Sequence, residues 1–127
     1  MIWTIELYGK PVAKKNAQVE ITTKKGKKVR RYNKETRSAL DALAMQIPGW
    51  ARDLRLEHPE VIFDFECPNG AWDRDNSVTS LVDILKTMGV IVNDNVAHFN
   101  GRVTINSARP SPEWKTTITL VPGPARW

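Results

Sequence analysis

Apolar and polar side chains alternate from the third residue onward. Trp3, Ile5 and Leu7 interleave with Thr4, Glu6 and Tyr8. This is the two-residue period of a strand with one buried face, and Gly9 and Pro11 end it. Two more extended runs, residues 17–23 and 28–32, flank Lys24-Lys25-Gly26-Lys27. Gly26 can adopt the positive φ of a chain reversal, so a hairpin with a basic tip is expected. At Asn33 the period changes. Behind this capping residue Leu40, Leu43, Ala44 and Ile47 recur at helical spacing, until Pro48 and Gly49 stop the helix. Residues 50–56 are expected to resume it.

The two-residue period returns at Glu60–Glu66, where Val61, Phe63 and Phe65 alternate with Ile62, Asp64 and Glu66. A loop at residues 69–72 leads to a second helix, with Asp75 as its expected cap. Val78, Leu81, Val82, Leu85 and Met88 form its apolar stripe, Asn76, Thr79, Ser80, Asp83 and Lys86 its other face, and Gly89 its stop. Residues 98–107 and 114–121 read as two antiparallel strands joined around Pro110 and Pro112. Strands interleaved with two main helices predict an α+β fold, with one mixed or antiparallel sheet and the helices on one face. A chain of 127 residues fills one core better than two, so residues 1–127 are expected to form a single domain.

Composition narrows the chemistry. With 41% hydrophobic and 26% charged residues the chain has the makings of a folded globule. No apolar run reaches the roughly 20 residues that span a bilayer, and the first residues lack the pattern of an export signal. No membrane association and a cytoplasmic location are therefore expected. Cys67 is the only cysteine, and only His58 and His98 accompany it. An internal disulfide is excluded, a structural zinc site cannot be assembled, and any metal has to be held by oxygen. Charge is segregated along the chain. Residues 1–37 carry eleven Lys/Arg against three Glu, and the remainder carries eight Lys/Arg against eleven Asp/Glu. A cationic arm that meets a polyanion and an acidic body that does chemistry would both follow, although a charge run can also be a solvated face.

The acidic residues cluster in one string, Trp72-Asp73-Arg74-Asp75-Asn76. Two aspartates at i and i+2 in extended chain project to the same side and can share a cation. A third, Asp94, lies between Asn93 and Asn95 beyond the run Val90-Ile91-Val92. The reversal at Gly89 is expected to bring it back beside Asp73. Three carboxylates without histidine suit Mg²⁺ or Mn²⁺, which can activate water and neutralise charge on a phosphate. Each aspartate taken singly also has a structural reading: Asp75 as a cap, Asp73 and Asp94 as turn residues. The residues alone thus leave open a metal-dependent nuclease or a non-catalytic basic module that only grips phosphates.

The string Trp72-Asp73-Arg74-Asp75-Asn76, then Asp83-Ile84-Leu85-Lys86, then Gly89-Val90-Ile91-Val92-Asn93-Asp94 resembles the D-x-D-N…DAL…G…DD core of the RusA Holliday junction resolvases. The spacing of the three aspartates matches too. A weaker echo joins Gly9-Lys10-Pro11-Val12-Ala13-Lys14-Lys15-Asn16 to the family's G-x-P-x-x-K segment. The resemblance implies a RusA-like fold, a homodimer, branched DNA as substrate and a bacterial or phage origin. It also implies that Asp73, Asp75 and Asp94 bind Mg²⁺ or Mn²⁺ and are needed for cleavage. DNA-contacting roles are expected for Lys10, Lys14, Lys15, Lys24, Lys25, Lys27, Lys28, Arg30, Arg31, Trp72, Arg74 and Asn76. Trp72 also has a packing reading. One position departs from the pattern: Thr79 stands where the family commonly has a catalytic lysine. Lys86 is two turns further on, about 10 Å along the helix axis, so Lys14 or Lys15 is the expected substitute. A nuclease preferring flaps or forks is the neighbouring alternative.

Overall fold

A computed structural model describes residues 2–11, 18–22, 24–32, 34–57, 59–68, 74–92 and 102–122, with residues 18–21, 29–32 and 74–76 described by their backbone. Among the described residues six strands and two helices follow in the order β1 (Trp3–Tyr8), β2 (Gln18–Thr22), β3 (Lys28–Tyr32), α1 (Lys34–Met45), β4 (Glu60–Cys67), α2 (Arg74–Thr87), β5 (Arg102–Pro110) and β6 (Lys115–Val121). Strands β1, β6, β4 and β5 lie side by side in that order as one sheet, and β2 and β3 form a separate two-stranded ribbon. The fold is α+β, and the main sheet is mixed. β6 runs antiparallel to β1 and to β4, while β4 and β5 are parallel. Parallel neighbours need a crossover, and α2 lies in the connection between them.

The alternation read from the sequence decides which face is buried. Ile5 and Leu7 of β1, Val61, Phe63 and Phe65 of β4, and Ile118 and Leu120 of β6 are all buried. They pack with Leu43 of α1, Ile47 just beyond it, and Val78, Leu81, Val82, Ile84 and Leu85 of α2 in one core. Phe63 and Phe65 stack with ring centroids 5.8 Å apart. On the opposite face Thr4, Glu6 and Tyr8 are exposed, and Asp64, Glu66, Thr117 and Thr119 half-buried. Both helices thus cover one face of the sheet, as an antiparallel-rich sheet with one wet side allows.

Several expectations need correction. β5 and β6 run in opposite directions but do not pair, because β4 lies between them. The link from Pro110 to Lys115 crosses the end of β4, where the Ser111 amide donates to the Cys67 carbonyl at 2.8 Å. β5 is described from Arg102, and the expected start at residue 98 lies outside the described residues. Residues 50–56 do not resume α1. Only Ala51–Asp53 form a single 3-10 turn, after which Arg55 takes φ 46°, a left-handed conformation that cannot continue a right-handed helix. α2 begins at Arg74, so Asp75 lies inside its first turn instead of capping it. No helix among the described residues is long and apolar enough to cross a membrane.

Candidate metal and nucleic-acid site

The acidic string occupies the handover from β4 to α2. β4 ends at Cys67 and α2 starts at Arg74, so Asp75 is the second helical residue and Asp73 immediately precedes the helix. A helix N-terminus favours negative groups, so ionised carboxylates are stabilised at the start of α2. The helical start changes one expectation, however: from Arg74 on the backbone is not extended, so the i, i+2 same-side argument does not apply to Asp75.

Asp94 is reached from the other end of α2. Gly89, at φ 80°, closes the helix in a Schellman turn. Its amide donates to the Lys86 carbonyl at 3.2 Å and the Val90 amide to Leu85 at 3.0 Å. The chain then runs beside Arg55 and Leu56. Arg55 N–H donates to the Gly89 carbonyl (3.1 Å), Leu56 N–H to Val90 (3.0 Å) and Val92 N–H back to Leu56 (2.9 Å), giving a short parallel bridge between Leu56 and Ile91. A Cβ on Gly89 would lie 2.5 Å from the Arg52 carbonyl oxygen. Gly89 is therefore required twice, for its φ and for this close approach. Sequence reading identified the helix stop and missed the Arg52–Leu56 clasp. The signal available was Gly89 itself, which permits close backbone approach as well as a turn.

The predicted site residues divide by what is described. Asp73, Asp94, Lys14, Lys15 and Trp72 lie outside the described residues, and Arg30, Arg31, Arg74, Asp75 and Asn76 are placed by backbone alone. Lys24, Lys25, Lys27 and Lys28 are exposed at and beside the turn between β2 and β3, where Gly26 has φ 78°. Lys10 is exposed too, with Nζ 5.6 Å from the ring centre of Trp114, a cation–π contact that ties it to the start of β6. Thr79 is exposed and Lys86 half-buried on α2. Among the described residues no three His, Cys, Asp or Glu side chains come together as a metal-binding group. The donor set of the acidic string is nonetheless all oxygen and fits a hard divalent cation.

A second polar cluster, unforeseen in the sequence, lies on the open sheet face where β1 ends and β6 begins. The Tyr8 hydroxyl donates to Glu6 Oε2 at 3.0 Å, and Lys115 Nζ lies 3.3 Å from Glu6 Oε1. These two contacts hold the Glu6 carboxyl below its ordinary value, the tyrosine hydrogen bond contributing most. The same bond raises Tyr8, and Glu6 raises Lys115. Glu6 and Tyr8 are exposed and Lys115 is half-buried, which suits a surface cross-strand network better than a reaction centre.

The chain matches no family model and no curated protein.

Proposed function

We propose that this protein is a Mg²⁺-dependent endodeoxyribonuclease of the RusA type, acting as a homodimer on branched DNA and resolving four-way junctions in recombination and repair. The observation that carries the reading is the position of the acidic string. In the string Trp72-Asp73-Arg74-Asp75-Asn76, Asp73 immediately precedes α2 in sequence and Asp75 lies in its first turn, where a helix N-terminus stabilises ionised carboxylates. Asp73, Asp75 and Asp94 are the proposed metal ligands. A Mg²⁺ or Mn²⁺ ion held by these carboxylates would supply an activated water and offset charge on the scissile phosphate. Lys14 or Lys15 is proposed to contact that phosphate in place of a lysine at the Thr79 position. The basic ribbon, together with Lys10, Arg74 and Asn76, supplies DNA contacts.

The test separates chemistry from binding. Asp73→Asn, Asp75→Asn and Asp94→Asn are each expected to abolish Mg²⁺-dependent cleavage while keeping junction affinity in EDTA, because each removes a ligand charge and leaves the basic residues intact. Full cleavage by all three variants would remove the proposed site. Equal cleavage of four-way, flap and fork substrates would replace the junction preference with a broader one.

A further inference from the structure

We propose that the β2–β3 ribbon is a groove-reading arm that enters the major groove of one duplex DNA arm, a deepening that rests on DNA being the substrate. The ribbon is its own two-stranded sheet, with an unbroken antiparallel register from Gln18↔Tyr32 to Thr22↔Lys28. Five residues per strand span about 17 Å, and paired strands lie about 4.8 Å apart. A B-DNA major groove, about 12 Å wide, admits such a ribbon as it stands, whereas a minor groove about 6 Å wide has first to be opened at the cost of deforming the duplex. At the leading end Lys24, Lys25, Lys27 and Lys28 are exposed around Gly26, so the tip brings four cations toward phosphates on the groove walls.

The same facts choose among nucleic acids. Single strands are held by several aromatic platforms on which successive bases stack, and residues 18–32 contain one aromatic residue, Tyr32, which pairs with Gln18 at the end of the ribbon away from the turn. Double-stranded RNA has a deep, narrow major groove closed to protein elements. Duplex B-DNA is the partner that shape and charge leave.

Binding of the full chain, measured by anisotropy in EDTA, tests the proposal independently of cleavage. Four probes are a plain B-DNA duplex, the same duplex with glucosylated hydroxymethylcytosine filling the major groove, the plain duplex with distamycin in its minor groove, and an RNA duplex of equal length. The wild-type protein is expected to lose about tenfold or more in affinity on the glucosylated and RNA duplexes and to be unaffected by distamycin. The variant Lys24→Ser/Lys25→Ser/Lys27→Ser/Lys28→Ser is expected to bind all duplexes weakly and alike, with a log–log salt slope shallower by up to about four. Equal wild-type affinity for plain and glucosylated DNA, displacement by distamycin, or undiminished binding to RNA would each overturn the proposal. A failed junction-cleavage experiment would count against the nuclease and leave these readings intact.

Discussion

Single side chains carry two expectations that stand apart from the proposed nuclease chemistry. Thr116 is buried on the core side of β6, and among the described residues its hydroxyl has no hydrogen-bond partner. An unmet buried hydroxyl is a cost, and valine has nearly the same shape. Thr116→Val is therefore expected to raise stability by about 1 kcal/mol, read from the urea midpoint. Unchanged or lower stability would mean that the hydroxyl is satisfied. Glu6 offers a pH test. Its folded pKa is depressed below the ordinary 4.5, so its stabilising effect is present above that value and is lost as pH falls through the folded pKa. Because the Tyr8 hydrogen bond is the first cause and Lys115 adds a hydrogen bond and a charge, Tyr8→Phe and Lys115→Met are each expected to move Glu6 upward in an NMR titration. No movement in Tyr8→Phe would mean that the hydroxyl does not hold the carboxylate. Neither Thr116 nor the Glu6 cluster was legible in the sequence, since both depend on which strands are neighbours.

At the scale of elements, short-range patterns were legible and pairings were not. The periods at residues 3–8, 60–66 and 78–88 named the buried face of β1, the buried face of β4 and the stripe of α2, because alternation and helical spacing are local properties. The insertion of β4 between β5 and β6 was not local, and the prolines between β5 and β6 suggested a hairpin that the sheet order excludes. Phe63, in the buried face of β4, is fully enclosed and serves the core. Trp3 packs against the core as well, whereas Trp50 is 51% exposed. Two element junctions invite mutation. Gly89→Ala adds a Cβ that meets the Arg52 carbonyl and imposes a left-handed residue with a side chain. It is expected to destabilise by about 2 kcal/mol or more, measured by thermal or urea unfolding. A loss of a few tenths would mean that the clasp relaxes freely. Gln46 ties α1's end to the β1 edge. The Tyr8 amide donates to its Oε1 at 2.7 Å, and its Nε2 donates to the Tyr8 carbonyl at 2.8 Å. The side-chain amide thus stands in for a neighbouring strand at one residue of an edge. Gln46→Ala is expected to cost about 1 kcal/mol and to speed exchange of the Tyr8 amide hydrogen, and unaltered exchange would argue against the clamp.

For the whole molecule the proposed function raises the question of what one acidic string per chain could do to a branched DNA. Resolving a four-way junction requires two cuts, and one chain offers one set of three aspartates. A symmetric pair of chains would supply the second, and twofold symmetry is the commonest way to build such a pair. A mixed dimer with one Asp73→Asn subunit is then expected to nick one strand and leave its counterpart whole, whereas complete resolution by the mixed dimer would contradict a one-site-per-strand scheme. The α+β architecture was legible as a whole because its core comes from regular periods. The candidate site was legible only as a string of residue types, since its geometry rests on side chains outside the described set. The most direct measurement is therefore chemical: purified wild-type protein on a synthetic four-way junction beside a linear duplex of the same sequence, with Mg²⁺ or with EDTA. Paired nicks on opposed strands of the junction, dependent on Mg²⁺ and sparse on the linear duplex, are the predicted result. Binding of the junction without cleavage at any Mg²⁺ or Mn²⁺ concentration would contradict the account and leave a basic DNA-binding module in its place.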